Sequence, residues 1–251
     1  MEDWINILLP FVLVLSRVGA FVGVSPIFGW RALPWVVRAG IALLLTFLFA
    51  SILPPVLLPV PVHWFSAVIL ISQEVVIGLA LGLATRFIYS VVRQGALIAA
   101  RQMGVADAGI FDPVSGDTSQ PIATLFEMIF TILFLSAGGL RILLMVLGRG
   151  FDLFPIGGSP NIPVLTGGLV KAGSEMLLFG LKFAAPVLGG FLILAVLLSI
   201  LARALPEMNI LLASFPLRVG LGLFMAAAIM PTLSTFTTEL ARMMNRFFVP
   251  T

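Results

Sequence analysis

Few residues in this chain are equipped for chemistry. Cysteine is absent, histidine occurs once, at His63, and 11 Asp and Glu stand against 14 Lys and Arg in 251 residues. Without a thiol there is neither a thiolate nucleophile nor a thiolate metal site. A lone histidine beside Trp64 has no second histidine with which to hold a metal or relay a proton, so it reads as an interfacial side chain. No GxxxxGK[ST] loop, HExxH helix or GxSxG elbow occurs. The acids fall one to an element, which leaves paired-carboxylate catalysis unsupported. Asp107, Asp112 and Asp117 recur at every fifth position rather than at the alternate positions of a calcium loop, so neither a metal nor another cofactor is expected.

What remains is charge embedded in apolar sequence. Glu74 lies near the middle of an apolar run, where a carboxylate costs about 2.5 to 3.5 kcal/mol on insertion scales unless neighbours or water satisfy it. It therefore needs a partner, and a proton carrier and a packed hydrogen-bonding residue are both open readings. Arg17, inside the first run, reads either as a side chain snorkelling from a helix end or as the buried partner of an acid. Glu127 is the acid of a later run.

The elements that must position these charges follow from composition. With 60% hydrophobic side chains, 10% charged and a mean hydropathy of +1.18, the chain departs far from the roughly 25% charged share of a soluble domain. An all-α, integral membrane-type fold is implied, with about six long apolar helices in kinked hairpins around a central polar loop. A net charge of +3, carried by scattered basic residues at segment ends, fits membrane flanks rather than a nucleic-acid surface. We read residues 1–251 as one helical unit. An N-terminal half, 1–120, holds the central loop, and helical hairpins fill 121–251.

In order, the apolar runs span about Trp4–Val24, Val36–Leu53, Trp64–Ala84, Ile122–Leu147, Val170–Leu201, and a last run to about Phe236. The first carries Gly19 and Gly23 at the GxxxG spacing of close helix approach, while Gly78 and Gly82 follow Glu74 in the third. Arg86, Arg93 and Arg101 punctuate a helical continuation of the third run. Gly138-Gly139 weakens the fourth run at mid-length, and the stretch Gly148 to Gly168 reads as a connector too turn-rich for any element. The fifth run, about 48 Å as a helix at 1.5 Å per residue, contains Pro186, and the last contains Pro216. Both prolines are candidate kinks. The distribution of Lys and Arg between alternate connections places both termini away from the cytoplasm.

One polar island, Gln102 to Gln120, interrupts all this, and its Asp, Gly, Pro and Ser/Thr residues end any helix entering it. By composition it is either a plain connection or a working loop.

The whole chain resembles the FliR family of the flagellar type III export apparatus. The resemblance rests on Arg17 with Gly19, Pro26 and Pro34 with Arg38, Glu74 with Gly78 and Gly82, and Gln102-Met103-Gly104. Asp112-Pro113 and Phe134 follow, then Ala184-Ala185-Pro186, Arg203-Ala204-Leu205-Pro206 with Asn209, and Phe215-Pro216. Their order and spacing together carry it. One departure is Gly138-Gly139-Leu140, where many members have Gly-His.

The resemblance implies a non-enzymatic subunit of an inner-membrane protein export gate at the flagellar basal body. It further implies assembly with several copies of two small helical membrane proteins around a pore for unfolded protein substrates. The loop after Gln102, Met103 and Gly104 would then plug the closed pore through Ile110, Phe111, Asp112 and Pro113, with Phe111 as the matching aromatic. Arg17, Glu74 and Arg203 would be buried charges that serve assembly. Beside this stands a different reading, a stand-alone secondary transporter or proton channel using Glu74 and Glu127. No nucleic acid is expected; membrane lipid is.

Overall fold

The computed structural model describes residues 2–29, 33–53, 64–103, 110–111, 118–119, 121–158, 160–205, 210–229, 231 and 235. These form helices α1 (Glu2–Val24), α2 (Trp35–Ile52), α3 (Trp64–Tyr89), α4 (Val91–Gln102), α5 (Pro121–Ser136), α6 (Gly139–Leu153), α7 (Ile162–Ala204) and α8 (Ile210–Ile229). A pair of two-residue strands, β1 (Ile110–Phe111) and β2 (Thr118–Ser119), lies between α4 and α5. The all-helical expectation holds. The apolar runs do not map one to one onto spans, however. Among the described residues three helices, α2, α3 and α7, are long and apolar enough to cross a membrane, or four spans if the broken pair α5 and α6 counts as one.

Contacts divide the chain into two units. The first contains α1, α2, α3, α6 from Leu140 onward and α7 as far as Ser174. Its core begins with the stripe Leu9, Leu13, Val14, Arg17, Val18, Phe21 and Val22, a helical period that turns one face of α1 inward. That face packs chiefly on α3 and secondarily on α2. Two glycines of α3 permit the approach. A Cβ at Gly78 would run into the Arg17 carbonyl oxygen and lie 2.9 Å from the Ala20 Cβ, and one at Gly82 would sit 3.1 Å from the Phe21 carbonyl oxygen. A side chain at either would force the helices apart. Gly19 and Gly23, which carry the same spacing, instead have open space where a Cβ would stand.

The second unit contains α4, the strand pair, α5, α7 from Glu175 and α8. Here Gly95 of α4 accepts the Phe183 side chain and the Gly180 carbonyl of α7, with 2.9 Å from a notional Cβ to that oxygen. Phe126 of α5 meets Phe183 edge to face at 6.0 Å between centroids. Small residues Ala96, Ala99 and Ala100 make the rest of α4 a flat, buried face.

Two boundaries differ from those read in the sequence. The fourth run breaks at Gly138, whose φ of +83° is a left-handed conformation that glycine tolerates and that ends α5. The supposed connector from Gly148 to Gly168 is mostly helix. α6 continues to Leu153 and α7 starts at Ile162, so only a short turn separates them. Gly148 and Gly150 lower helix propensity by about 1 kcal/mol each. Gly150 offsets this by letting α6 meet Leu81 of α3, whose side chain occupies the space a Cβ would need.

Candidate functional site

Arg17 and Glu74, 57 residues apart in sequence, meet inside the first unit. α1 places Arg17 on its buried stripe, and α3 brings Glu74 one turn before Gly78, where the helices are closest. Arg17 Nε donates to Glu74 Oε2 at 2.5 Å, with both side chains essentially inaccessible, at 0% and 1% exposure. Arg17 Nη1 donates to the Gly150 carbonyl at 3.1 Å and to the Phe154 carbonyl at 2.7 Å. Gly150 is in the last turn of α6 and Phe154 directly follows it, at the end where the helix dipole is negative; the Gly150 carbonyl also accepts the Phe154 N–H at 3.1 Å. The guanidinium thus caps α6 from a different helix.

The carboxylate is equally engaged. Glu74 Oε1 accepts the Gly157 N–H at 3.0 Å, in the turn between α6 and α7, where Gly157 has φ +76°. The Arg17 Cζ sits 4.6 Å from the centroid of the Phe151 ring, and Phe151 in turn lies 5.4 Å from Phe49 of α2. A cation over an aromatic face in a dry site gains roughly 2 kcal/mol. One ion pair therefore ties α1, α3, the end of α6 and the following turn, with α2 leaning on the ring beneath it. Both oxygens of Glu74 already accept, one from the buried Arg17 and one from the part-buried Gly157 N–H, which is the chemistry of a packed hydrogen-bonding residue.

Glu127 has its own arginine, Arg93 of α4, at 3.1 Å. Arg93 is 54% exposed and Glu127 30%, so water screens the pair. Arg203 is not a buried charge. It stands exposed in the last turn of α7, where the helix dipole favours a cation and its long stem can reach solvent. Pro186 and Pro216 lie inside α7 and α8.

At the entry to the polar island, Gln102 closes α4 and is exposed, while Met103 is buried with its N–H on the Ala99 carbonyl at 3.3 Å. Gly222 of α8 receives the Met103 side chain, whose Sδ would lie 2.8 Å from a Cβ there. Beyond it, β1 and β2 pair antiparallel, Ile110 opposite Ser119 and Phe111 opposite Thr118, so the island doubles back on itself. Gly104, Asp112 and Pro113 lie outside the described residues.

Gly150, Phe151, Phe154 and Gly157 were invisible as site residues in the sequence. The only local signal was the Pro155-Ile156-Gly157-Gly158 turn, which marks a bend and not a hydrogen-bond donor aimed at an acid 83 positions away.

Residues 8–244 match the bacterial export proteins, family 1. The chain is 35% identical over 239 residues to the flagellar biosynthetic protein FliR of Escherichia coli (strain K12), covering 95% of this chain and 91% of that protein. It is 29% identical over 241 residues to FliR of Pectobacterium carotovorum subsp. carotovorum, covering 96% and 90%. Against FliR of Bacillus subtilis (strain 168) it is 27% identical over 232 residues, covering 90% and 87%.

Proposed function

Because the chain belongs to the bacterial export proteins, family 1, and is similar over nearly its full length to flagellar FliR proteins, we propose that it is a membrane subunit of the flagellar protein export apparatus. In this reading it works in the inner membrane at the flagellar basal body and catalyses no reaction. With small helical partner subunits, two kinds in several copies, it builds a pore for unfolded substrates. The observation that carries the proposal is the similarity at 35% identity across 91% of a flagellar relative.

Three structural features support it. Spans α2 and α7 have only 22% of their most apolar window buried within the chain. Leu43, Leu44 and Phe47 of α2 and Leu192, Ile193 and Val196 of α7 stand exposed, and apolar surface on this scale belongs under lipid or partner helices. The buried Arg17–Glu74 pair holds α1, α3 and α6 as a rigid block, as a subunit needs if it is to present fixed surfaces. Within the island after Met103, Ile110 and Phe111 pair with Ser119 and Thr118, a pairing that would give a blocking loop a fixed base.

In this reading Ile110, Phe111, Asp112 and Pro113 form the plug, and Gln102, Met103 and Gly104 its anchor. The test is deletion of Ile110 to Asp117 in cells carrying the complete apparatus. Ion conductance across the membrane should rise, and unchanged conductance with normal assembly overturns the plug assignment.

A further inference from the structure

Met103 stands where the chain leaves α4 for the polar island, and its side chain is 1% exposed. What covers it is a bare place on α8. Gly222 is buried in mid-helix, and a Cβ there would collide with the Met103 Cγ and Cε and lie 2.8 Å from its Sδ. The thioether therefore lies across the Gly222 backbone, in space that any larger residue would close. Glycine inside a helix is unfavourable for the backbone, and α8 bears that cost where the methionine lies. One turn on, Met225 of α8 reaches α7 in the same manner, its Sδ and Cε filling the space a Cβ at Gly190 would need. Residues three apart are neighbours on a helix face, so α8 is seated against α7 by one methionine while it receives another from α4.

α4 itself does not depend on this contact. It packs along α5, and its Gly95 receives the Phe183 side chain of α7. Loss of the Met103 contact therefore leaves α4 in place and frees the end from which the island departs. Methionine suits such a contact, because an unbranched, polarizable side chain conforms to an irregular gap. We propose that Gly222 is a positioning residue for closure: it seats Met103, and through Met103 α8 fixes the base of the loop that closes the pore. This rests on the plug reading above, which the test checks separately.

The test uses cells carrying the complete apparatus and reads ion conductance across the membrane and recovery of the assembled complex. G222A and M103A should each raise conductance toward that of the Ile110 to Asp117 deletion, with recovery unchanged. M103A/G222A should leak no more than the leakier single variant, because both changes remove one contact. The chain has no cysteine, so M103C/G222C reports the contact directly. The Met103 Cγ reaches the Cβ position at 222, which puts the two thiols within bonding reach. A mild oxidant should join them and bring conductance down to the wild-type level, and a reductant should restore the leak. A leaking deletion with tight G222A and M103A overturns the seat and leaves the plug standing. A tight deletion overturns the plug and the seat with it. Failure of the cysteine pair to cross-link overturns the proposal, as does a double variant whose leak is the sum of the two singles. Reduced recovery with conductance unmoved by oxidant marks a purely structural contact and overturns it too.

Discussion

Replacing Glu74 by Ala tests the clamp most directly. The substitution removes the acceptor of Arg17 Nε and of the Gly157 N–H in one step, leaving a guanidinium that is 0% exposed without its counter-charge. Removing one partner of a buried pair costs about 3 to 5 kcal/mol. The lower end applies, because Arg17 Nη1 keeps the Gly150 and Phe154 carbonyls. A loss of about 3 kcal/mol is roughly a 150-fold shift in the folding equilibrium, a large part of a typical total stability of about 5 to 15 kcal/mol. For a chain of this size it corresponds to a melting temperature lower by about 6 to 12 °C. The assay is thermal unfolding of purified E74A in detergent, compared with R17M and the double variant R17M/E74A. Removing both charges avoids the orphaned guanidinium, so the double variant should be more stable than the sum of the single losses predicts, by about 1.5 kcal/mol or more. Strict additivity, or an E74A protein melting with the wild type, would refute the clamp. Normal stability with export lost would instead assign Glu74 a direct part in transport.

The remaining predictions concern sites where the same arguments give different signs. G78A should lower the melting temperature of the purified protein, costing about 1 to 3 kcal/mol as an overpacked contact, because its Cβ meets the Arg17 carbonyl oxygen. G19A, whose Cβ stands in open space, should be neutral or stabilising by up to about 1 kcal/mol; the same loss in both would refute the assignment of Gly78 as the packing glycine. R93A should cost less than about 1 kcal/mol, with a coupling to E127A near zero in a double-mutant cycle, because the pair is exposed to water.

Much of the molecule was legible from composition and local chemistry. Burying a carboxylate in an apolar run is unfavourable in any fold, so the need of Glu74 for a partner could be stated before any partner was known. The weakening of the fourth run at Gly138-Gly139 was likewise local, although the run was read as continuing through it, and the left-handed Gly138 that breaks it into two helices was seen only in the structure. The class of protein, helical and membrane-embedded, followed from 60% hydrophobic and 10% charged residues.

Tertiary structure decided which of several equivalent local signals is used. Gly19-x-x-x-Gly23 and Gly78-x-x-x-Gly82 carry the same spacing, yet only the second meets a neighbouring helix. Twelve arginines could have answered Glu74, and the one that does is 57 positions away. The Gly148 to Gly168 stretch looked like loop because intrinsic propensity argues against helix there, and contacts with Leu81 and Arg17 override it. Helix propensity and the cost of leaving a charge unpaired in an apolar run depend on neighbours in sequence, which any reader of the chain can see. Pairing depends on residues brought together over 57 to 137 positions, and no local period records it.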